Sequence, residues 1–366
     1  MVNKSERIPP YFVFFLVVKV QTGTGVLGFQ RLIMHSAGND AWIAVIFGGI
    51  VCLLPIWCMF NILHSHEKDL IGVHKQIFGK YIGGILSMIW IIFWLMLSIA
   101  AYMTYAEIIG TWLFPQINIL PLSIVFAIVI YYAVSGGFRI IAGLCFLGVI
   151  LTSFLILTIY FPIGYAQFHN LLPIWHHSIK EMAIGTKDMS LSYLGFSTML
   201  MYYPFIDPFK KAKKWAYMGN LTTMLFYSLI MVLTIGYFTE AQIERYIWPT
   251  LNFWSSVKIP FVERFEYVGI TMLMFSIVPI ICLTIWAAIQ GTGRLFNVKS
   301  KKITFLYLII LIAFSLSLNS REEVNSLLNF LGNAGLYLYL VYIPALYFIT
   351  LIMSKRTKKG RDFHEN

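Results

Sequence analysis

Long apolar runs separated by short polar or charged stretches set the pattern of this chain. Ten of the runs have the roughly 20-residue length that a helix needs to cross a bilayer. They lie near residues 10–35, 40–62, 81–106, 118–135, 138–162, 188–206, 216–239, 266–292, 302–319 and 328–353. Several starts carry capping signals: Asn39-Asp40 can cap the second run, Asn118 the fourth, and Lys187-Asp188 stands before the sixth. The longest connections, about 163–187 and 240–265, hold Pro, Trp and scattered charge and suit short interfacial helices. No stretch reads as a soluble domain.

Two of the ten runs are interrupted. In the first, Gln21-Thr22-Gly23-Thr24-Gly25-Val26-Leu27-Gly28 breaks a segment otherwise apolar enough to span. Two glycines one residue apart make a regular helix costly there, by about 1 kcal/mol each relative to Ala. The Gln and Thr side chains beside them can hold polar partners. In hydrocarbon, freed backbone groups are tolerated only where they line a cavity or face protein. The other reading is that the glycines simply let a neighbouring helix pack closely. In the sixth run, Leu191-Ser192-Tyr193-Leu194-Gly195-Phe196-Ser197-Thr198 is followed by Pro204. The interrupted runs are five apart, and with an odd number of crossings per half the second half has inverted topology. Paired interruptions at corresponding positions of inverted halves point to a binding site at mid-membrane, whereas two unrelated flexible helices would need a coincidence of position.

Composition agrees with a membrane protein. The chain is 59% hydrophobic and 12% charged with mean hydropathy +0.76, against roughly 25% charge in an average soluble domain. A net charge of +11 does not signal nucleic acid, because the basic residues cluster between apolar runs, the pattern that orients membrane helices. Of 27 Lys and Arg, 19 fall on one side and seven (Arg31, Lys180, Lys187, Arg245, Lys258, Arg264, Arg321) on the other, while Lys19 lies within a run. This asymmetry predicts cytoplasmic termini, and one span more or fewer would put it out of phase. No cleavable signal peptide is expected, since Lys19 interrupts the first run and no small-residue cleavage site follows. The four cysteines lie inside apolar runs without metal-ligand spacing, so neither a metal nor another cofactor is expected. The histidines fall in or beside connections, and neither a nucleotide loop nor a hydrolase elbow is present, which excludes an enzyme reading.

The broken first run, with Thr22-Gly23-Thr24-Gly25, is similar to the Gly-x-Gly break of the amino acid–polyamine–organocation transporter superfamily. More narrowly, the chain resembles the B subunits of bacterial spore germination receptors over essentially its whole length. The resemblance rests on Gln21 to Leu27, on Tyr193-Leu194-Gly195-Phe196 and Tyr203-Pro204-Phe205, and on Trp248-Pro249-Thr250-Leu251 leading to Pro260-Phe261-Val262-Glu263-Arg264-Phe265-Glu266. It implies an all-α integral membrane protein of ten transmembrane helices in a five-plus-five inverted repeat (LeuT-like) with helices one and six broken. The first repeat would cover 1–163, the second 188–353, and 354–366 would form a cytoplasmic basic tail.

The resemblance further implies a nutrient-sized ligand, such as an amino acid, nucleoside or sugar, in a protein of the spore inner membrane that works with other receptor subunits of A and C type. A half-helix ending at mid-membrane offers unpaired N–H groups to a carboxylate and opposing C=O groups to an ammonium. The expected ligand-binding residues are therefore Gln21, Thr22, Gly23, Thr24 and Gly25 with Gly195, Phe196, Ser197 and Thr198. The family pattern carries an acidic residue where this chain has Ser197, which sets aside carboxylate-dependent recognition there. Tyr102 and Tyr105 are either a wall of the site or interface anchors. Lys19, deep in a run, is a coupling or gating residue by default; its alternative is an ammonium that reaches water or backbone carbonyls without titrating. Two classes remain, a nutrient-sensing receptor subunit and a proton-coupled amino acid transporter, and a shared fold does not separate them.

Overall fold

The computed structural model describes residues 6–362 except Phe261 and Asn319, and of 354–362 the backbone alone. Lys4, Phe261, Asn319 and the last four residues of the basic tail lie outside the described residues.

The first apolar run forms two helices, α1 (Phe12–Gln21) and α2 (Gly25–Ala37). A turn at Gly38–Asp40 leads into α3 (Ala41–Val51) and α4 (Leu53–His66), which meet at Cys52. α5 (Leu70–Ile108) begins well before the expected residue 81. Asp69 caps it by accepting from the Gly72 N–H, and Gly79 at φ +77 kinks an added first piece against the rest. This extension carries Lys75 and Lys80 out of the connection and onto a helix. α6 (Ile119–Ser135) starts where expected, with Asn118 accepting from the Leu120 N–H. α7 (Phe138–Ser153) runs through a tighter 3₁₀ stretch, Phe154–Ile159, into the short α8 (Tyr160–Ile163).

The sixth run departs from the sequence reading. Its helix α9 (Ile179–Asp188) starts at a capping box made by Ser178 and Glu181, not at Lys187-Asp188. Lys180, Glu181, Lys187 and Asp188 lower the local hydropathy and hide a helix that the Ser-x-x-Glu signal marks. α10 (Ser190–Tyr193) then ends at the break, and a 3₁₀ turn Phe196–Thr198 leads into α11 (Met199–Tyr202). The remainder is α12 (Ala212–Tyr237), α13 (Glu240–Arg245), α14 (Pro249–Ser255), α15 (Phe265–Phe296), α16 (Ser300–Ser317), α17 (Arg321–Tyr337), a π turn Leu338–Tyr342, and α18 (Ile343–Asp362). Counting directly joined pieces as one, seven helices among the described residues are long and apolar enough to cross a membrane, and α1 and α6 are apolar but shorter.

α15 forms the axis of the core, packing along α5, α7 and α16, while α1 lies between α12, α7 and α15. Its residues Ile277, Ile281, Leu283 and Ile285 are fully buried, whereas Ile128 of α6, Leu147 of α7 and Phe305 of α16 are 62%, 50% and 63% exposed. An apolar outside around an apolar inside is what a lipid solvent permits. The start of the chain is tied to the end of the sixth run: the Ile8 N–H donates to Phe205 O (2.8 Å), the Asp207 N–H to Ile8 O (3.1 Å), and Arg7 pairs with Asp207 at 2.8 Å.

Asp40 was expected to cap α3 and does something else. Its carboxylate, fully buried, accepts from the N–H groups of Trp175 (2.7 Å), His176 (2.7 Å) and His177 (3.0 Å) and pairs with Nδ1 of His177 (3.0 Å). It thereby pins the connection before α9 onto the α2–α3 turn. Burial alone would raise its pKa, but these hydrogen bonds outweigh burial and hold the carboxyl below its ordinary value.

Candidate functional site

The two interruptions meet at the centre of the molecule. At the first, α1 ends with the Thr22 N–H and hydroxyl both bonded to Val18 O, at 2.9 and 2.7 Å. The Gln21 carbonyl, which α1 leaves unpaired, accepts from Tyr227 Oη at 2.7 Å. Its side-chain Nε2 donates to Asn220 Oδ1 (3.0 Å) and Tyr193 O (3.3 Å), which joins α1 to α12 and α10. Oε1 of the same side chain is buried without a hydrogen-bond partner among the described residues. α2 makes its first backbone bonds from Val26 to Gly23 O and from Leu27 to Thr24 O. The N–H groups of Gly23, Thr24 and Gly25 are thus left at a helix N-terminus with no protein acceptor among the described residues, the situation that favours an anion.

At the second interruption Gly195 adopts φ +100, in the left-handed region that glycine favours. A Cβ there would stand 2.9 Å from Val20 Cβ and 3.2 Å from Val20 O, so glycine also lets the break lie directly on α1. Tyr339 Oη accepts from the Gly195 N–H (3.1 Å) and donates to Ser197 Oγ (2.6 Å), which accepts in addition from Trp94 Nε1 (2.9 Å). Thr198 Oγ1 donates to Gly195 O at 2.9 Å. The irregular backbone is held from behind by buried polar groups, as its place in a membrane protein requires.

In front of both breaks lies a cavity of about 780 Å³. Its inner wall is Gln21, Gly23, Thr24, Gly25, Ser192, Leu194 and Gly195, and its sides are Leu97, Ala100, Ala101 and Thr104 of α5 with Ile280 and Thr284 of α15. The outer part is charged, through Arg31, Glu107, Asp188, Glu244 and Arg321, with His35 beside them. Across that mouth Arg321 of α17 pairs with Glu107 of α5, and its guanidinium sits 4.9 Å over the Trp248 ring. The size falls within the ~300–1,000 Å³ usual for small-molecule sites.

The expected residues divide. Gln21, Gly23, Thr24, Gly25 and Gly195 line this cavity. Thr22 lines a smaller cavity of about 280 Å³ beside α7 and α12, and Phe196 faces a groove on the far side of the sixth run. Ser197 and Thr198 support the break from behind. Tyr102 and Tyr105 point away: Tyr102 Oη bonds Ser123 Oγ (2.7 Å) and Tyr105 Oη donates to Ile270 O (3.1 Å). Helical periodicity explains Tyr102, which lies opposite the face shared by Leu97, Ala101 and Thr104, whereas Tyr105, one turn after Ala101, stands at the edge of that face and is turned aside by its bond to Ile270 O. Ser192, Thr104, Thr284 and the supporting Tyr339 were not singled out from the sequence. Ser192 stood inside the quoted interruption, but nothing local marks a lone Thr or Tyr within an apolar helix.

Lys19 lies one turn before the first break, 1% exposed. Its Nζ donates to Ser276 Oγ of α15 (2.8 Å) and Thr152 Oγ1 of α7 (3.2 Å). A Cβ on Gly148 would meet Phe275 O at 2.3 Å and Lys19 Cδ at 3.0 Å, so glycine gives α15 and the lysine stem their room. The ammonium sits behind the break, held by two hydroxyls, and does not reach the 780 Å³ cavity.

A family model described as spore germination protein matches residues 7–324. The chain is 36% identical over 343 residues to the spore germination protein GerQB of Bacillus cereus, covering 94% of this chain and 95% of that one. It is 24% identical over 349 residues to spore germination protein A2 of Bacillus subtilis (strain 168), with 93% and 94% covered. Among solved structures, MhsT in complex with L-phenylalanine matches with a TM-score of 0.56 at 14% identity, covering 92% of this chain and 87% of that one. A substrate-bound, outward-open Na⁺-coupled sialic acid symporter also matches at 0.56, with 13% identity and 95% and 77% covered. At such identities these two likenesses speak for the fold alone.

Proposed function

The chain belongs to the family of spore germination proteins, and from that premise we propose that it is the nutrient-sensing membrane subunit of a spore germination receptor, binding an amino acid or similar small germinant at mid-membrane. The observation that carries this reading is the meeting of the two helix breaks on the wall of one cavity of about 780 Å³. The unpaired N–H groups of Gly23, Thr24 and Gly25 at the positive end of α2 suit a carboxylate. The unpartnered Oε1 of Gln21 suits an ammonium. Leu97, Ala100, Ala101 and Ile280 leave an apolar space for the rest of the ligand, and Thr104, Ser192 and Thr284 add hydroxyls.

In this reading the ligand bridges α2 and the sixth run, and partner subunits of A and C type read the resulting change in helix packing. The protein sits in the spore inner membrane with both termini cytoplasmic. Residues 1–163 form one repeat and 188–353 the second, into which α9 leads from Ile179. A proton-coupled amino acid carrier is the second reading, and the buried ammonium of Lys19 is the observation that favours it. Reconstitution of the purified chain into proteoliposomes separates the two. The receptor reading expects saturable binding of labelled amino acid without accumulation under a proton gradient, and uphill uptake lost in Lys19→Met would overturn it.

A further inference from the structure

On the far side of the sixth run, outside the ligand cavity, lies a groove of about 530 Å³ between α3, α9 and α17 with its π turn. Its floor is Tyr193, Leu194, Phe196 and Tyr339, and among the described residues the one charged side chain lining it is Lys187. At one end stand Trp175 and Ile179, which are 52% and 78% exposed. Exposed Trp and Ile in a connection between membrane helices place that end at the boundary between lipid and water. Lys187 lies eight residues into α9 from Ile179, about 12 Å further along at the helical rise. Helical side chains lean toward the N-terminus, so its stem carries the ammonium back toward the boundary. The side chain is exposed, and no described residue pairs with it. An unpaired ammonium on an apolar groove at membrane depth calls for an anion attached to an apolar chain.

We propose that this groove is a phospholipid site, its acyl chain lying along Tyr193, Leu194 and Tyr339 and its phosphate group resting on Lys187. The site rests on the membrane setting of the chain and not on the identity of any germinant. Leu194 lines both this groove and the ligand cavity, and Tyr339 holds Gly195 through its hydroxyl. A lipid seated here therefore supports the sixth break from the side opposite the ligand.

The test uses the full chain in vesicles containing a phosphatidylglycerol with a photoactivatable diazirine in its acyl chain, with cross-linked peptides mapped by mass spectrometry. Labelling should concentrate on residues 47–55 and 335–340 above the level at the open lipid-facing positions Ile128 and Phe305. Lys187→Glu should lower groove labelling by roughly fivefold or more, the worth of one lysine's attraction for an anionic headgroup, and leave the open faces unchanged. Ala183→Trp, which fills the groove, should abolish groove labelling while leaving the same two controls labelled. Groove labelling no higher than at those controls, or unchanged in Lys187→Glu, would overturn the proposal. So would groove labelling that, in the receptor assembled with its partner subunits, disappears while the two open faces stay labelled, since a protein chain would then occupy the groove.

Discussion

Tyr339→Phe removes a single oxygen and tests whether the sixth break is held in a binding-competent shape from behind. The ring keeps its contacts, edge-on to Phe196 at 4.7 Å and tilted to Trp90 at 6.0 Å. What is lost is the acceptor for the buried Gly195 N–H at 3.1 Å and the donor to Ser197 Oγ at 2.6 Å. Ser197 still receives the Trp94 indole N–H, so the Gly195 N–H is the group left unsatisfied. A buried, unpaired N–H costs about 1–3 kcal/mol. If the break relaxes to recover that energy, it does so by leaving the arrangement that binds ligand, and at 1.4 kcal/mol per tenfold the germinant midpoint rises by roughly 5- to 150-fold. The assay is the nutrient concentration for half-maximal germination in spores carrying the variant at normal membrane levels. Tyr102→Phe is the control, since Ser123 keeps its bonds to Ser315 and Ile119 O and the hydroxyl is remote from the cavity. A wild-type midpoint in Tyr339→Phe, or an equal shift in Tyr102→Phe, would refute the reasoning.

Gly195→Ala should lower both membrane abundance and response, because a non-glycine residue at φ +100 costs about 1–3 kcal/mol before its contact with Val20 is counted. Gly143→Ala, whose Cβ meets nothing within 4 Å, should be silent in immunoblot and germination assay alike. Lys19→Met should leave the melting temperature of purified protein unchanged or raised, since replacing a buried charge by an apolar side chain of similar length removes its desolvation cost. The same variant should shift the germinant midpoint, and a large fall in melting temperature would count against the assignment. Asp40 has a depressed folded pKa, so its contribution is present above the ordinary aspartate value and is lost as pH falls through the folded one. Protease resistance of the connection before α9 should therefore persist at about pH 5 and decline only as pH falls below the ordinary aspartate value of about 4, and Asp40→Asn should weaken it throughout the range in which the carboxylate is ionised.

Membrane class and the place of both breaks could be read from the sequence because each rests on a local signal. Apolar runs of bilayer length mark the helices, and Gly23, Gly25 and Gly195 mark positions where a helix is hard to continue. The start of α9 was missed although Ser178 and Glu181 announced it, because charge at 180, 181, 187 and 188 looked like a loop. Partners distant in the chain were not legible. Gly195 meets Tyr339 144 residues away and Lys19 meets Ser276 257 residues away, pairings fixed by helix packing. Tyr102 and Tyr105 were drawn to the site by residue type, and the phase of α5 instead turned Ala101 and Thr104 toward it. Asp40 shows the same limit, its carboxylate serving a segment more than 130 residues on rather than the helix it precedes.

The central claim is that ligand binds in the cavity where the two breaks meet. Its most direct test is equilibrium binding of a panel of labelled L-amino acids to the purified full chain, comparing the wild type with Gly25→Leu, Thr104→Trp and Ile309→Ala. Gly25 and Thr104 line the cavity from facing sides, while Ile309 of α16 is 48% exposed on the lipid side. Saturable binding should be present in the wild type and in Ile309→Ala and absent in both cavity variants. Binding of wild-type affinity in Gly25→Leu and Thr104→Trp would contradict the account.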